Sequence, residues 1–293
     1  MLRSKRCIVL WLTSSFILYW ISLSLPALRK KLFRCELSKV GQFALYSYNF
    51  GNYRNELNGI QDILLSFNKY GIDSYFFTNR QIPPVNGWEI IVIDTNKEFT
   101  NRSVGKKLKF QFHPKLEKYR YLIHTDARDA RLLQMRKWLS NGLMYFVLDN
   151  PQYALFVGEH PDRKNIEEEV NVLFGHGGIQ PQAELENWKK FLSDEFVTLN
   201  EVRLPELCTW ILDTHDRVFV DHWSRIYDLL NKHGLWRDQV VFRYAMVTQA
   251  LKIKYIGVKA THHSGKIDIA FHKCIQWKML LLFLFSMCFP PVD

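Results

Sequence analysis

Short apolar runs alternate along the chain with stretches in which apolar residues recur every three or four positions. Residues 42–48 (QFALYSY) read as a strand, followed by a turn rich in Asn and Gly (NFGNYRNEL). A helix over 59–70 follows, with Ile60, Ile63, Leu64 and Phe67 on one face. Residues 74–77 and 89–93 (EIIVI) predict two further strands, and 119–124 (YRYLIH) another, which ends at Thr125 and Asp126. The same periodicity predicts helices over 132–141, 166–173, 183–192, 217–233 and 238–250. Strands alternating with helices predict an α/β domain with a mostly parallel sheet and helices on both faces. The chain shows no internal repeat.

The amino terminus follows a different pattern. Residues 7–25 (CIVLWLTSSFILYWISLSL) carry no charge and are just long enough to cross a bilayer as a helix. Pro26 and the basic residues Arg29, Lys30 and Lys31 follow. A cleaved signal peptide normally has a shorter apolar stretch and small residues before its cleavage site. This run ends in LPALRKK, which favours a retained signal anchor. The predicted organisation is a cytoplasmic tail over 1–6, a transmembrane anchor over 7–25, a basic stem over 26–40, a lumenal domain over 41–270 and an apolar tail over 271–293. The topology expected is single-pass type II, because a long domain after the span translocates largely regardless of its charge. The apolar run at 279–289 (MLLLFLFSMCF) is too short to span a membrane alone. Asn101, in Asn-Arg-Ser, is the one glycosylation sequon.

The net charge is +10, but seven of the basic residues flank the apolar amino-terminal run (Arg3, Lys5, Arg6, Arg29, Lys30, Lys31 and Arg34). No basic stripe interleaved with aromatics remains, so nucleic acid is not an expected partner. A mild cationic excess suits an anionic small molecule. Of five cysteines, Cys35, Cys208, Cys274 and Cys288 would face an oxidising lumen, where three full pairings are open.

Four segments carry candidate chemistry. In Thr125-Asp126-Ala127-Arg128-Asp129 an apolar strand runs into acidic residues. Ligands of open α/β sheets bind at the carboxyl ends of strands. Asp126 and Asp129 there are candidate ligands for a divalent cation (Mn2+ or Mg2+), and Arg128 is a candidate phosphate contact. The competing reading is a strand-end turn with solvated charges. Next, His160 and Arg163 precede Glu167, Glu168 and Glu169, which by spacing read as the solvated first turn of a helix. Third, Asp238 is either a helix N-cap or, with Arg237 and Gln239, a contact for sugar hydroxyls or a general base. Fourth, His262, His263 and Lys266 offer a late metal ligand and a phosphate contact, although adjacent loop histidines are commonly inert. No P-loop, GxSxG, HExxH or Rossmann glycine pattern occurs.

Taken in order, LYSYNFGNYRNEL, IDSYFFTN with GWEIIVID, KFQFHPKLEKYRYLIHTDARDARL, EHPDRKNIEEEV and LWRDQVVFRYAM resemble one family over roughly residues 42–250. It is the glycosyltransferase-like family, formerly a domain of unknown function, that includes plant mucilage-related hexosyltransferases. The resemblance implies a GT-A-like fold, type II topology in the Golgi membrane, and transfer of a sugar from a nucleotide-sugar donor to a glycan, protein or lipid hydroxyl. It places His113, Asp126, Arg128, His160, Arg163, Glu168, Arg237, Asp238 and Gln239 on motif positions. The mechanism expected on these positions gives catalysis to Asp238 and Glu168 and donor binding to the others, with Asp126 holding the cation; Asp129 or His263 as further metal ligands and Lys266 as a further donor contact are read from the residues and not from the resemblance. Two positions depart from the family pattern. His124 stands where an aromatic residue is usual, and Asp213-Thr214-His215 stands where Arg-x-His is expected. The family name has also been attached to alkaline ceramidase activity, so a lipid amidase is one alternative and an inactive lumenal binding protein another.

Overall fold

The computed structural model describes residues 42–51, 67, 70–85, 87–94, 101–127, 129–140, 142–160, 163, 168–169, 172, 186–191, 204–235 and 237–256. These belong to the compact unit Gln42–Asp293. The expected anchor, stem, apolar tail and most of the helix over 59–70 lie outside the described residues, as do His263 and Lys266. Among the described residues no helix is long and apolar enough to cross a membrane.

Seven strands form one sheet: β1 (Phe43–Asn49), β2 (Asp73–Thr78), β3 (Glu89–Val92), β4 (Tyr121–Thr125), β5 (Leu155–Glu159), β6 (Pro205–Asp213) and β7 (Ile253–Ile256). Their order is β3-β2-β1-β4-β6-β5-β7. Every pairing is parallel except those of β6, which runs antiparallel to β4 and β5. The expected mostly parallel α/β sheet is therefore present. From β1 the chain moves outward through β2 and β3, then returns to place β4 on the other side of β1. That reversal puts the carboxyl ends of β1 and β4 at the place where sheets of this kind generally form a ligand crevice.

Both sheet faces are buried. One face carries Ala44, Tyr46, Tyr75, Phe77, Leu122, Val157, Trp210 and Leu212. It packs on helices α1 (Asn101–Gln111), α4 (Arg217–Lys232) and α5 (Asp238–Met246). The other face presents Phe156, whose ring meets Phe146 of α3 (Leu143–Leu148) at 6.0 Å. Helix α2 (Asp129–Ser140) packs against β4 and β6. Helix α4 forms where its pattern says it should. Phe219, Trp223, Ile226, Tyr227 and Leu230 make one buried stripe, and Asp216 caps the helix by accepting from the Phe219 N–H at 3.1 Å.

Three departures from the sequence pattern matter. α1 is a helix in a stretch that reads as polar, because Lys109 points inward and is only 5% exposed. β6 is a strand despite Pro205 and Glu206. Proline is tolerated at a strand's first residue, and Glu206 pairs with Arg131. The α-helix predicted over 238–250 stops at Met246 and continues as a 3-10 turn over Val247–Lys252 that feeds β7.

Close packing in the crevice depends on Gly105. A Cβ there would stand 2.8 Å from Cε2 of Tyr48. Alanine favours a helix over glycine by about 1 kcal/mol, but the clash outweighs this. Gly105→Ala is expected to lower stability by about 1 kcal/mol in urea unfolding; a gain would show that Tyr48 yields freely.

Candidate functional site

The site is built on a row of cross-strand neighbours. Tyr46 of β1 registers with His124 of β4, which registers with Trp210 of β6. Parallel and antiparallel pairing put these side chains on the same face. The His124 ring lies 5.0 Å from Tyr46, 5.1 Å from Trp210 and 5.4 Å from Tyr48, on which it stacks. Trp210 continues onto Trp223 at 4.7 Å, which links the row to α4. His124 thus fills an aromatic slot with an aromatic ring.

Two positions past His124, Asp126 emerges at the carboxyl end of β4. Its N–H donates to the Cys208 carbonyl at 2.8 Å. Its side chain keeps 30% exposure, and its Oδ1 lies 3.6 Å from Nε2 of His124. Burial alone would raise its pKa, but His124, Lys109 and Cys208 outweigh that and hold it at about 2. Burial, assisted by Lys109, drops His124 to about 4 against the pull of Asp126, so the imidazole is neutral at pH 7. Cys208 is a free thiol, pushed up to about 12 by burial and the Asp126 charge.

The second half of the site comes from α1 and α5. Lys106 and Lys109 lie three residues apart on α1 and share a helix face. Both Nζ atoms reach Oδ2 of Asp238, each at 2.7 Å. Asp238 is 5% exposed. Burial opposes its ionisation, but the two ammonium groups overcome this and keep its pKa well below the carboxylate range. Burial lowers Lys106 despite Asp238, whereas Lys109 is raised by Asp238 and Asp126 against its burial. The Lys109 carbonyl, near the end of α1, accepts from Tyr46 Oη at 3.3 Å and Trp223 Nε1 at 3.2 Å. Orphan helix-end carbonyls require such partners when buried. The Tyr48 hydroxyl is raised by burial and by the charges of Asp126 and Asp238, which places it under the influence of both carboxylates.

The other sequence candidates divide around this cluster. Arg237 is the N-cap of α5, without a side-chain cap bond, and Asp238 is the first helical residue; the N-cap reading for Asp238 is corrected. The base role for Asp238 also fails physically, because a carboxylate holding two ammonium groups is not poised to take a proton near neutral pH. Gln239 is buried beside it on α5. His160 and Arg163 follow β5, where the His160 N–H donates to Leu204 at 2.9 Å and the Arg163 N–H to His160 Nδ1 at 3.1 Å. The solvated-turn reading of the three glutamates is corrected at Glu169, which is fully buried and paired with Arg163. Glu168 beside it is half-buried. His113 caps a 3-10 turn, accepting from the Lys115 N–H at 3.2 Å, and packs on Phe77. Asp129 opens α2. Arg128, His263 and Lys266 lie outside the described residues.

Asn101 begins α1, its Oδ1 accepting from Asn79 at 2.8 Å, with Ser103 of the sequon buried. Asp213 sits at the amino end of β4's neighbourhood, opposite Tyr121 in register, paired with Arg120 at 3.0 Å. The Asp213-x-His215 segment is therefore at the end of the strands opposite Asp126.

Sequence reasoning missed Lys106, Lys109, Tyr48 and Arg80. The signal was the Lys-rich run KKLKF interleaved with apolar residues, which a packed helix explains. Arg80 follows β2, with Nε and Nη2 buried and unpartnered among the described residues.

The described donors do not fit a divalent cation. Among the described residues no three His, Cys, Asp or Glu groups converge. The groups around Asp126 are a neutral imidazole, a protonated thiol and an ammonium, whereas Mn2+ and Mg2+ want oxygen ligands. No protein-family model matches the chain, and no curated protein matches it.

Two outcomes test these electrostatics. Asp238→Asn leaves the buried Lys109 and the part-buried Lys106 without their shared counter-charge and is expected to cost about 3–5 kcal/mol in urea unfolding at pH 7. His124 titrates at 6.5 unfolded and at about 4 folded, so the unfolded state binds the extra proton between those values. Its contribution to stability is full above pH 6.5 and is lost as the pH falls towards 4. His124→Phe is expected to flatten the stability–pH slope in that window by up to about 1.4 kcal/mol per pH unit. An unchanged slope would place the titration elsewhere.

Proposed function

We propose that the chain is a glycosyltransferase of the hexosyltransferase type, a type II protein of the Golgi or another secretory-pathway membrane with its domain in the lumen. It would move a sugar from a nucleotide-sugar donor to a hydroxyl of a glycan, protein or lipid. The observation that carries this reading is the part-exposed, ionised Asp126 at the β1/β4 crevice, with Tyr48 and the lysine pair of α1 beside it. The GT-A-like fold of the resemblance is consistent with the mostly parallel sheet and its crevice.

In this reading the chain's own residues supply charge and orientation. Arg80 and Lys106 face the donor's diphosphate and favour the departure of an anionic nucleotide. Asp126 accepts hydrogen bonds from sugar hydroxyls, and Tyr48 donates one. Asp238 holds Lys106 and Lys109 at fixed positions. Neither carboxylate of the cluster is poised as a base near neutral pH, so the acceptor hydroxyl attacks by proximity as the bond from the sugar to the nucleotide's phosphate oxygen breaks, and its proton passes to that departing oxygen. That low basicity also favours a second reading, a protein that binds the sugar nucleotide without turnover.

The test is thermal stabilisation of the purified chain by a panel of UDP- and GDP-sugars, with and without Mn2+, followed by release of free nucleotide. Ligands that bind the folded state raise the unfolding free energy, by about 2.7 kcal/mol at a hundredfold excess over Kd, and with it the melting temperature. A shift by one donor that is lost in Asp126→Ala supports the reading, and acceptor-dependent nucleotide release separates transfer from binding alone. Absence of any shift, or ceramide cleavage without a sugar nucleotide, would overturn it.

A further inference from the structure

Helix α5 carries a buried cation with no counter-charge. Arg243 is 2% exposed, yet no carboxylate pairs with it among the described residues, and its Nε has no hydrogen-bond partner. Burial pulls it below the ordinary guanidinium range, and only Tyr255 of β7 acts to raise it. An unpaired buried charge is costly, and proteins that keep one ordinarily pair it or bind an ion there. One turn earlier on the same face, Gln239 is 9% exposed and its Oε1 also lacks a partner. Lys106 and Lys109 are already engaged by Asp238, so that carboxylate is not free to turn towards Arg243.

The two unmet groups differ in kind. The guanidinium offers N–H donors and calls for an oxyanion. The amide oxygen is an acceptor and calls for an O–H or N–H. We infer that Arg243 and Gln239 form a binding site for a small hydroxylated oxyanion, its negative oxygen on Arg243 and a hydroxyl on Gln239. Four residues apart on α5, the two positions stand about 6 Å apart along the helix axis, a spacing on the scale of a sugar phosphate or a polyhydroxy acid. The site deepens the donor reading, since a sugar nucleotide has both groups, but it rests on atoms other than those of Asp126.

The test uses the full chain and four probes: inorganic phosphate, glucose 1-phosphate, gluconate and glucose. Melting temperature is read for wild type, Arg243→Met and Gln239→Leu. Phosphate is expected to raise the wild-type value, and one hydroxylated oxyanion to raise it further. A response to glucose 1-phosphate assigns the oxyanion to phosphate, and one to gluconate assigns it to carboxylate. Glucose alone has no effect. Arg243→Met removes an uncompensated charge while keeping apolar bulk, so it is expected to be at least as stable as wild type without ligand and to bind the probes about tenfold more weakly or worse. Gln239→Leu keeps the phosphate response and loses the added effect of the hydroxylated probe. The inference is overturned if Arg243→Met is destabilised and keeps the wild-type shifts, the result expected when a carboxylate of the chain itself neutralises Arg243. It is equally overturned if no oxyanion shifts the wild type. Asp126→Ala separates the two sites. Probe shifts that survive in it while no nucleotide sugar binds the wild type would sustain the Arg243 site and remove the donor reading.

Discussion

One carboxylate oxygen shared by two ammonium groups, that of the buried Lys109 and that of the part-buried Lys106, constrains most of this structure. Lys109, and part of Lys106, enter an interior otherwise lined by Tyr46, Phe110, Trp210 and Trp223, and Asp238 supplies their nearest counter-charge. The first turn of α5 must therefore abut the middle of α1. That contact fixes the Lys109 carbonyl where Tyr46 and Trp223 donate to it, and so ties the sheet and α4 to the same point. Clusters of this kind add little net stability over well-packed apolar side chains. Their presence beside a sheet crevice points to recognition of charge.

The crevice itself follows from topology. Only where the strand order reverses do the ends of β1 and β4 leave room outside the sheet. Asp126 enters that room because β4 ends at Thr125, and its ionisation is secured by neighbours from three directions: His124 on its own strand, Cys208 on β6 and Lys109 on α1. Gly105 lets Tyr48 lie against α1 and close the near wall.

Much of this frame was legible in the sequence. The first four strands by number and α4 stand where alternation and helical periodicity put them, and Asp126 stands at the strand end where the pattern placed it. What hid was whatever broke the apolar code. α1 was disguised by inward lysines, whose long stems bury while their charges find a partner 129 residues away. β6 was disguised by Glu206, neutralised by Arg131 on α2. Glu169 read as a surface residue because its partner Arg163 is needed to see it as buried. Each of these three misses is a buried charge whose partner lies on another element or on an adjoining turn, and hydrophobic periodicity does not encode such pairs.

The central claim is that the Lys106–Lys109–Asp238 cluster is kept for ligand charge and not for stability. The direct measurement is the triple variant Lys106→Met, Lys109→Met, Asp238→Leu, followed by urea unfolding and by titration with the nucleotide sugar that stabilises the wild type. The account expects a chain folded with about wild-type stability or better, with the ligand response gone. A triple variant that loses several kcal/mol, or that still binds the donor as the wild type does, would contradict it.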